Sequence, residues 1–102
     1  AVLGEMLELG GEAVALHEAC GRAAARAGLA HLVTVGGAPA LAMARAAAAA
    51  GMPAGAVSHA ATSAEAADAV VPMLRGGDVV LVKGSRGVRT DLVADRIKEA
   101  GA

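Results

Sequence analysis

Two runs of β-favouring aliphatic residues constrain the fold of this chain more than any other feature. Residues 32–35 and 78–82 show no alternation of polar and apolar positions, a pattern typical of strands that are covered on both faces. Helix-favouring stretches rich in alanine separate them, and alanine supplies 29 of the 102 residues. Strands that alternate with helices indicate a parallel sheet. With right-handed crossovers, the sequence predicts an α/β fold: a Rossmann-like three-layer α/β/α domain with a mainly parallel sheet.

Local signals predict the first two helices. Two glycines lead into a helix over residues 12–27, and Gly28 follows it, as glycine commonly does after a helix. Pro39 suits the first turn of a second helix, which is expected to run to about Ala50 and stop at Gly51. The first helix is expected to bury an apolar face, whose residues at helical spacing are Leu16, Cys20, Ala23, Ala24 and Ala27.

The second half of the chain carries the remaining elements. A short strand is predicted over residues 56–59, and Thr62 with Glu65 then forms a capping box that opens a third helix. Pro72 must kink or end that helix, because proline lacks an amide hydrogen and clashes with the preceding turn. A last helix is expected over about residues 90–100.

Composition and charge exclude several classes of protein. A mass of 9.8 kDa predicts one domain over residues 1–102. The net charge is −1 and there is no aromatic residue, so the electrostatic and stacking interactions of nucleic-acid binders are both lacking. Mean hydropathy is +0.55, but the most apolar stretch is mostly alanine and contains Arg45 and Pro53. Neither a nucleic acid nor a membrane is therefore an expected partner.

Cysteine and histidine usage predicts neither a disulfide nor a metal site. Cys20 is the single cysteine and is interpreted as a small buried side chain. His17, His31 and His59 have no ligand-like spacing. His17 is expected to be packed or hydrogen-bonded, and His59 ends a strand with no partner nearby in sequence. No catalytic residue is predicted, and with no signal peptide evident at the start, a cytoplasmic location is expected.

The basic segment after the strongest predicted strand is the first candidate site. Ligands of open α/β sheets bind outside the carboxyl ends of the strands, and residues 83–89 (KGSRGVR) follow such an end. Arg86 could hold a carboxylate or phosphate bidentately, with Lys83 as a point charge. The other interpretation is a solvated loop paired with Asp78 and Asp91. Neither a P-loop nor the dinucleotide motif G-x-G-x-x-G is present in the sequence.

An acidic residue after a short strand predicted at Val2 and Leu3 is the second candidate. Glu5 and Glu8 lie in the segment GEMLELG, and a carboxylate at a strand end could accept hydrogen bonds from ribose hydroxyls. The other interpretation is a surface turn whose apolar residues, Met6, Leu7 and Leu9, pack into the core.

Two segments carry a resemblance to a known family. The opening AVLGEMLELG, followed by Leu16, His17 and Gly21, resembles part of the third, carboxy-terminal domain of the Mur ligases. The strand and loop GDVVLVKGSRG, residues 77–87, resemble the same domain. The motifs stand at opposite ends of the chain, so the resemblance covers essentially all 102 residues, and it implies that the first strand is truncated.

The resemblance implies a function in peptidoglycan precursor synthesis. It implies an ATP-dependent ligase, similar to the members of the family that add D-alanyl-D-alanine to a UDP-N-acetylmuramoyl-tripeptide. In the family, ATP and magnesium are bound mainly by a central domain and the UDP-sugar by an amino-terminal domain. The third domain closes over the active site and helps to hold the incoming dipeptide. The resemblance therefore implies that this chain is inactive by itself.

The resemblance also suggests roles for individual residues. Glu5 matches an acidic residue that contacts the ATP ribose, and Lys83, Ser85 and Arg86 match a loop that faces the incoming dipeptide. The alternative is a free-standing small α/β module that binds an anionic ligand or a phosphorylated partner at this basic loop. The abrupt start of the chain within a predicted strand favours the ligase domain.

Overall fold

The computed structural model describes residues 1–6, 10–73, 82–83 and 91–99. Within these ranges, four parallel strands form one sheet in the order β3-β2-β1-β4. The strands are β1 (Val2–Gly4), β2 (Leu32–Val35), β3 (Val57–Ala60) and β4 (Val82–Lys83). The helices are α1 (Ala13–Arg26), α2 (Ala38–Ala49), α3 (Ser63–Val70) and α4 (Asp91–Glu99). Short 3-10 turns occupy Gly10–Glu12, Ala54–Ala56 and Val71–Met73.

The helices cover both faces of the sheet. Side chains of α1 and α2 pack with Leu32 in one apolar cluster that includes Ala24, Ala47 and Met52. Side chains of α3 and α4 pack with the alternate residues of the strands in a second cluster, which consists of Val2, Val33, Val35, Ala60, Ala66, Ala67, Val70 and Val93. Because successive strand residues point to opposite faces, the two clusters lie on opposite sides. The predicted three-layer α/β/α fold is confirmed.

The order of the strands reverses direction at β1. From β1 the chain moves outward through β2 to β3, whereas β4 pairs with the other side of β1. The first two crossovers carry α1 and α2 on one face, and the crossover from β3 to β4 carries α3 on the other. This arrangement makes the boundary between β1 and β4 the topological switch point of the sheet.

Close contact between α1 and α2 depends on a glycine. A β-carbon on Gly21 would lie 2.1 Å from the carbonyl oxygen of Met43 and 3.1 Å from the amide nitrogen of Ala47. Real β-carbons do not approach backbone atoms so closely, so only glycine allows the two helix backbones to meet here.

The buried face of α1 differs from the predicted one. Its buried residues are His17, Gly21 and Ala24, whereas Leu16 is 42% exposed. Of the remaining predicted positions, Cys20 is half-buried and Ala23 and Ala27 are exposed. Hydrophobicity mispredicted this buried face because α2 packs against the part of α1 that has the smallest side chains.

The start of the third helix matches its prediction. The Glu65 amide donates to Thr62 Oγ1 at 3.2 Å, and Glu65 Oε2 accepts from the Ala61 amide at 3.2 Å. The carboxylate thus reaches one residue further back than in the usual capping box. Pro72 lies in the 3-10 turn that follows α3. The early part of the strand predicted over residues 78–82 lies outside the described residues.

Candidate functional site

Two of the predicted site residues lie at neighbouring strand ends. Glu5 immediately follows β1, and Lys83 is the last residue of β4. These strands are adjacent, with Leu3 opposite Lys83, so both residues lie at the carboxyl edge of the switch point, where doubly wound folds bind ligands. The Lys83 side chain is exposed. Ser85 and Arg86 follow it in the chain and lie outside the described residues.

The backbone at Glu5 continues the sheet by one residue. The Glu5 amide donates to the Val35 carbonyl oxygen at 2.7 Å. On the other side, the amide of the next residue along β2, Gly36, donates to the Ala60 carbonyl oxygen at 3.0 Å. These bonds tie the end of β2 to both neighbours and fix where Glu5 begins its turn away from the sheet.

The Glu5 side chain rests against the glycine turn between β2 and α2. A β-carbon on Gly36 would lie 2.6 Å from Glu5 Cβ and 3.2 Å from Glu5 Oε2, and the φ of +137° at Gly36 also favours glycine. A β-carbon on Gly37 would lie 3.7 Å from Glu5 Oε1. Glycine therefore makes room for the carboxylate beside the first turn of α2.

The environment of the Glu5 carboxylate suits a group that accepts hydrogen bonds from a ligand. The residue is half-buried, and the start of α2 provides a positive electrostatic potential. Among the residues that the structure describes, no donor is hydrogen-bonded to the carboxylate. Carboxylate oxygens accept hydrogen bonds from donors such as hydroxyl groups.

His17 connects α1 to the segment that follows β1. Its ring is fully buried, and Nε2 accepts a hydrogen bond from the Met6 amide at 2.8 Å. Nδ1 lies 2.5 Å from the Ala13 carbonyl oxygen. An amide can only donate and a carbonyl can only accept, so the proton lies on Nδ1 and Nε2 is the acceptor. Both nitrogens are thus engaged within the protein, which agrees with the prediction of a packed, hydrogen-bonded histidine.

His59 has a partner that its sequence neighbours did not reveal. Its Nδ1 lies 2.9 Å from Oγ1 of Thr34, a fully buried residue of β2. The two residues are 25 positions apart but directly opposite in register. Strand pairing, which no local pattern encodes, brings them together.

The described residues supply no cluster of His, Cys, Asp and Glu side chains that could hold a metal ion. Cys20 is a free, half-buried thiol. None of the described helices has both the length and the hydropathy needed to cross a membrane.

Three comparisons with known proteins point to the same family. The family model described as "Mur ligase, glutamate ligase domain" matches residues 1–86. A UDP-N-acetylmuramoyl-tripeptide--D-alanyl-D-alanine ligase of Mycobacterium leprae is 39% identical over 103 residues, which span 100% of this chain and 20% of that protein. A crystal structure of MurF from Acinetobacter baumannii superposes with a TM-score of 0.78 and 26% identity, covering 96% of this chain and 21% of that one.

These matches agree in extent as well as in name. The chain spans about one fifth of the length of both relatives, and the family model alone covers residues 1–86 of 102. The resemblance of the two end motifs is confirmed by these matches, and the chain belongs to the Mur ligase family.

Proposed function

We propose that this chain is the carboxy-terminal domain of an ATP-dependent ligase that joins D-alanyl-D-alanine to a UDP-N-acetylmuramoyl-tripeptide in peptidoglycan precursor synthesis. The observation that carries the proposal is the match over the whole chain to the Mycobacterium leprae ligase, and Glu5 and Lys83 at adjacent strand ends provide a candidate site for it. The name of the Mycobacterium leprae relative supports the choice of dipeptide and acceptor. The match to the family model favours this function over a free-standing anion-binding module.

Glu5 is proposed to bind the ribose of ATP. A carboxylate accepts hydrogen bonds and can pair with one or both ribose hydroxyls. The side chain is half-buried and rests on the glycine turn before α2, so little conformational entropy is lost when a ligand binds. ATP supplies the phosphoryl group that activates the tripeptide carboxylate for attack by the amine of the dipeptide.

The basic segment that begins at Lys83, the last residue of β4, is proposed to hold the incoming dipeptide. The dipeptide has a free carboxylate, and the reacting centre carries phosphate charge, so both favour cations nearby. Lys83 provides a mobile point charge, whereas the planar guanidinium of Arg86 can pair bidentately with a carboxylate. Ser85 adds a hydroxyl that can donate to an anion.

The remaining functions of the ligase are assigned to other domains of the full protein. We propose that a central domain binds the phosphates of ATP with magnesium and that an amino-terminal domain binds the UDP-sugar. The substrates are soluble small molecules, so the enzyme is proposed to act in the cytoplasm, with no nucleic acid or membrane as partner.

The full-length enzyme that carries this chain provides the test. Phosphate release from ATP should require both the UDP-N-acetylmuramoyl-tripeptide and D-alanyl-D-alanine, and mass spectrometry should detect the pentapeptide product. The 102-residue chain alone should turn over no ATP above a heat-inactivated control, because its sequence contains no triphosphate-binding loop. Release that depends on a single amino acid instead of the dipeptide would contradict the proposed substrate. ATP turnover by the chain alone would contradict the proposal that this domain is active only together with the other domains of the ligase.

A further inference from the structure

Both peptide groups that flank the Glu5 α-carbon are held by hydrogen bonds from different elements. The amide on the amino-terminal side, that of Glu5 itself, donates to Val35 of β2 at 2.7 Å. The amide on the carboxyl side, that of Met6, donates to His17 of α1 at 2.8 Å. Because peptide groups are planar, fixing both of them fixes φ and ψ of Glu5, and with them the direction of its Cα–Cβ bond.

The acceptor on the carboxyl side is itself rigid. The His17 ring has 0% exposure, and its Nδ1 is bonded to the Ala13 carbonyl one turn earlier in α1. The ring therefore presents Nε2 in one orientation. Without this acceptor, the Met6 amide would lose its partner, and the peptide group after Glu5 would be held less firmly.

We infer that His17 is a positioning residue that aims the Glu5 carboxylate at the ribose of ATP. The inference rests on the proposed role of Glu5 and adds a residue that does not touch the nucleotide. His17 acts through its hydrogen bond with the Met6 amide, although the two residues are 11 positions apart in the chain.

Two substitutions at His17 each keep one of its two hydrogen bonds and remove the other. In His17→Gln, the longer side chain puts its carbonyl oxygen near the position of Nε2, where it can accept from the Met6 amide. In His17→Asn, the shorter side chain can reach the Ala13 carbonyl but not the Met6 amide. Both variants bury an amide, so their effects on stability should be similar.

The selectivity of the full-length ligase for the ribose provides the test. We would measure kcat/KM with ATP, 2′-deoxyATP and 3′-deoxyATP. Glu5→Ala should reduce the preference for ATP about tenfold, the size expected for a hydrogen bond to a charged group. His17→Asn should cause a loss of similar size, and His17→Gln should keep most of the preference. The KM for D-alanyl-D-alanine should change little in any of them.

A control separates positioning from stability. Val70→Ala removes volume from the cluster on the opposite face of the sheet and should lower the melting temperature without changing ribose selectivity. If His17→Asn keeps full selectivity, or if both His17 variants lose it equally, the positioning role is wrong. If Glu5→Ala itself leaves selectivity unchanged, the proposed contact of Glu5 with ribose is wrong, which is a separate failure.

The wild-type chain allows a measurement that needs no variant. A two-dimensional ¹H–¹⁵N spectrum of the histidine rings should show His17 with its proton on Nδ1 and an unprotonated Nε2. A proton on Nε2 would leave the Met6 amide without an acceptor and would overturn the inference even if no His17 variant folds.

Discussion

The two faces of the sheet are packed in different ways. On the α3/α4 face, the cluster contains five valines, and its other members are alanines. On the α1/α2 face, a glycine and alanines form the helix contact. That face also carries two fully buried polar residues, His17 and Thr34.

The difference corresponds to the position of the candidate site. The α3/α4 face stabilises the fold mainly by the apolar volume it buries. The α1/α2 face brings two helix backbones close together, and a hydrogen bond to His17 of α1 holds the segment next to Glu5. The α3/α4 face should therefore be sensitive to loss of side-chain volume at its valines, whereas the α1/α2 contact should be sensitive to added volume at Gly21.

Removing volume from the α3/α4 face should have the largest effect on stability. Val35 is fully buried in its cluster, and Val35→Ala removes two methyl-sized groups and leaves a cavity. We expect the free energy of unfolding to fall by about 2–3 kcal/mol, measured by urea denaturation of the chain. Val14→Ala, at a position 46% exposed on α1, is the control and should change it by less than about 0.5 kcal/mol. Equal effects would show that this face does not depend on buried volume.

Adding volume to the α1/α2 face should also destabilise the chain. In an isolated helix, Gly21→Ala would gain up to about 1 kcal/mol of helix propensity. Here the new β-carbon would lie 2.1 Å from the Met43 carbonyl oxygen, and overpacking costs about 1–3 kcal/mol or more. We expect a net loss of about 1–2 kcal/mol in the same denaturation assay. Gly11→Ala meets no atom within 4 Å and serves as the control. A gain in stability for Gly21→Ala would contradict the close contact.

The capping box of α3 should contribute less than either face. Thr62→Ala removes the hydroxyl that accepts from the Glu65 amide, and such caps contribute about 1 kcal/mol. The exposed Ser58→Ala on β3 is the comparison and should have an effect below about 0.5 kcal/mol. A Thr62→Ala effect as large as that of Val35→Ala would mean that α3 depends on its cap more than on its buried face.

The sequence predicted the layers of the fold better than the contacts between helices. The run without polar alternation at residues 32–35 and the Thr62–Glu65 capping box are local signals, and both match the structure. The buried face of α1 was mispredicted because glycine and histidine occupy it. Gly21 is buried because it is small, and His17 because it has partners on both sides, and neither property appears as hydrophobicity.

The sequence predicted where the candidate site lies but not the contacts that hold its residues in place. The rule that ligands bind at strand ends selected Glu5 and Lys83 from the sequence. Their placement at neighbouring strand ends depends on β4 pairing with β1, and the support of Glu5 depends on His17 and on the glycine turn at Gly36. These contacts join residues from separate elements, and no pattern within a single helix or strand encodes them.

The proposed role of the basic segment that begins at Lys83 is tested most directly by comparing two arginines in the full-length protein. Arg86 belongs to the basic segment proposed to hold the dipeptide, whereas Arg96 forms a surface ion pair with Asp68 at 2.9 Å, with the two side chains 45% and 69% exposed. Steady-state kinetics with D-alanyl-D-alanine varied, alongside melting curves, would measure both alanine variants.

Arg86→Ala should lower kcat/KM about ten- to hundredfold, the loss expected for a charge-assisted contact of about 1.5–3 kcal/mol. Arg86→Lys should recover only part of it, because an ammonium lacks the planar fork of the guanidinium. Arg96→Ala should change activity little, since exposed ion pairs contribute at most about 1 kcal/mol. Normal kinetics for Arg86→Ala would contradict the assignment of the dipeptide to the basic segment that begins at Lys83.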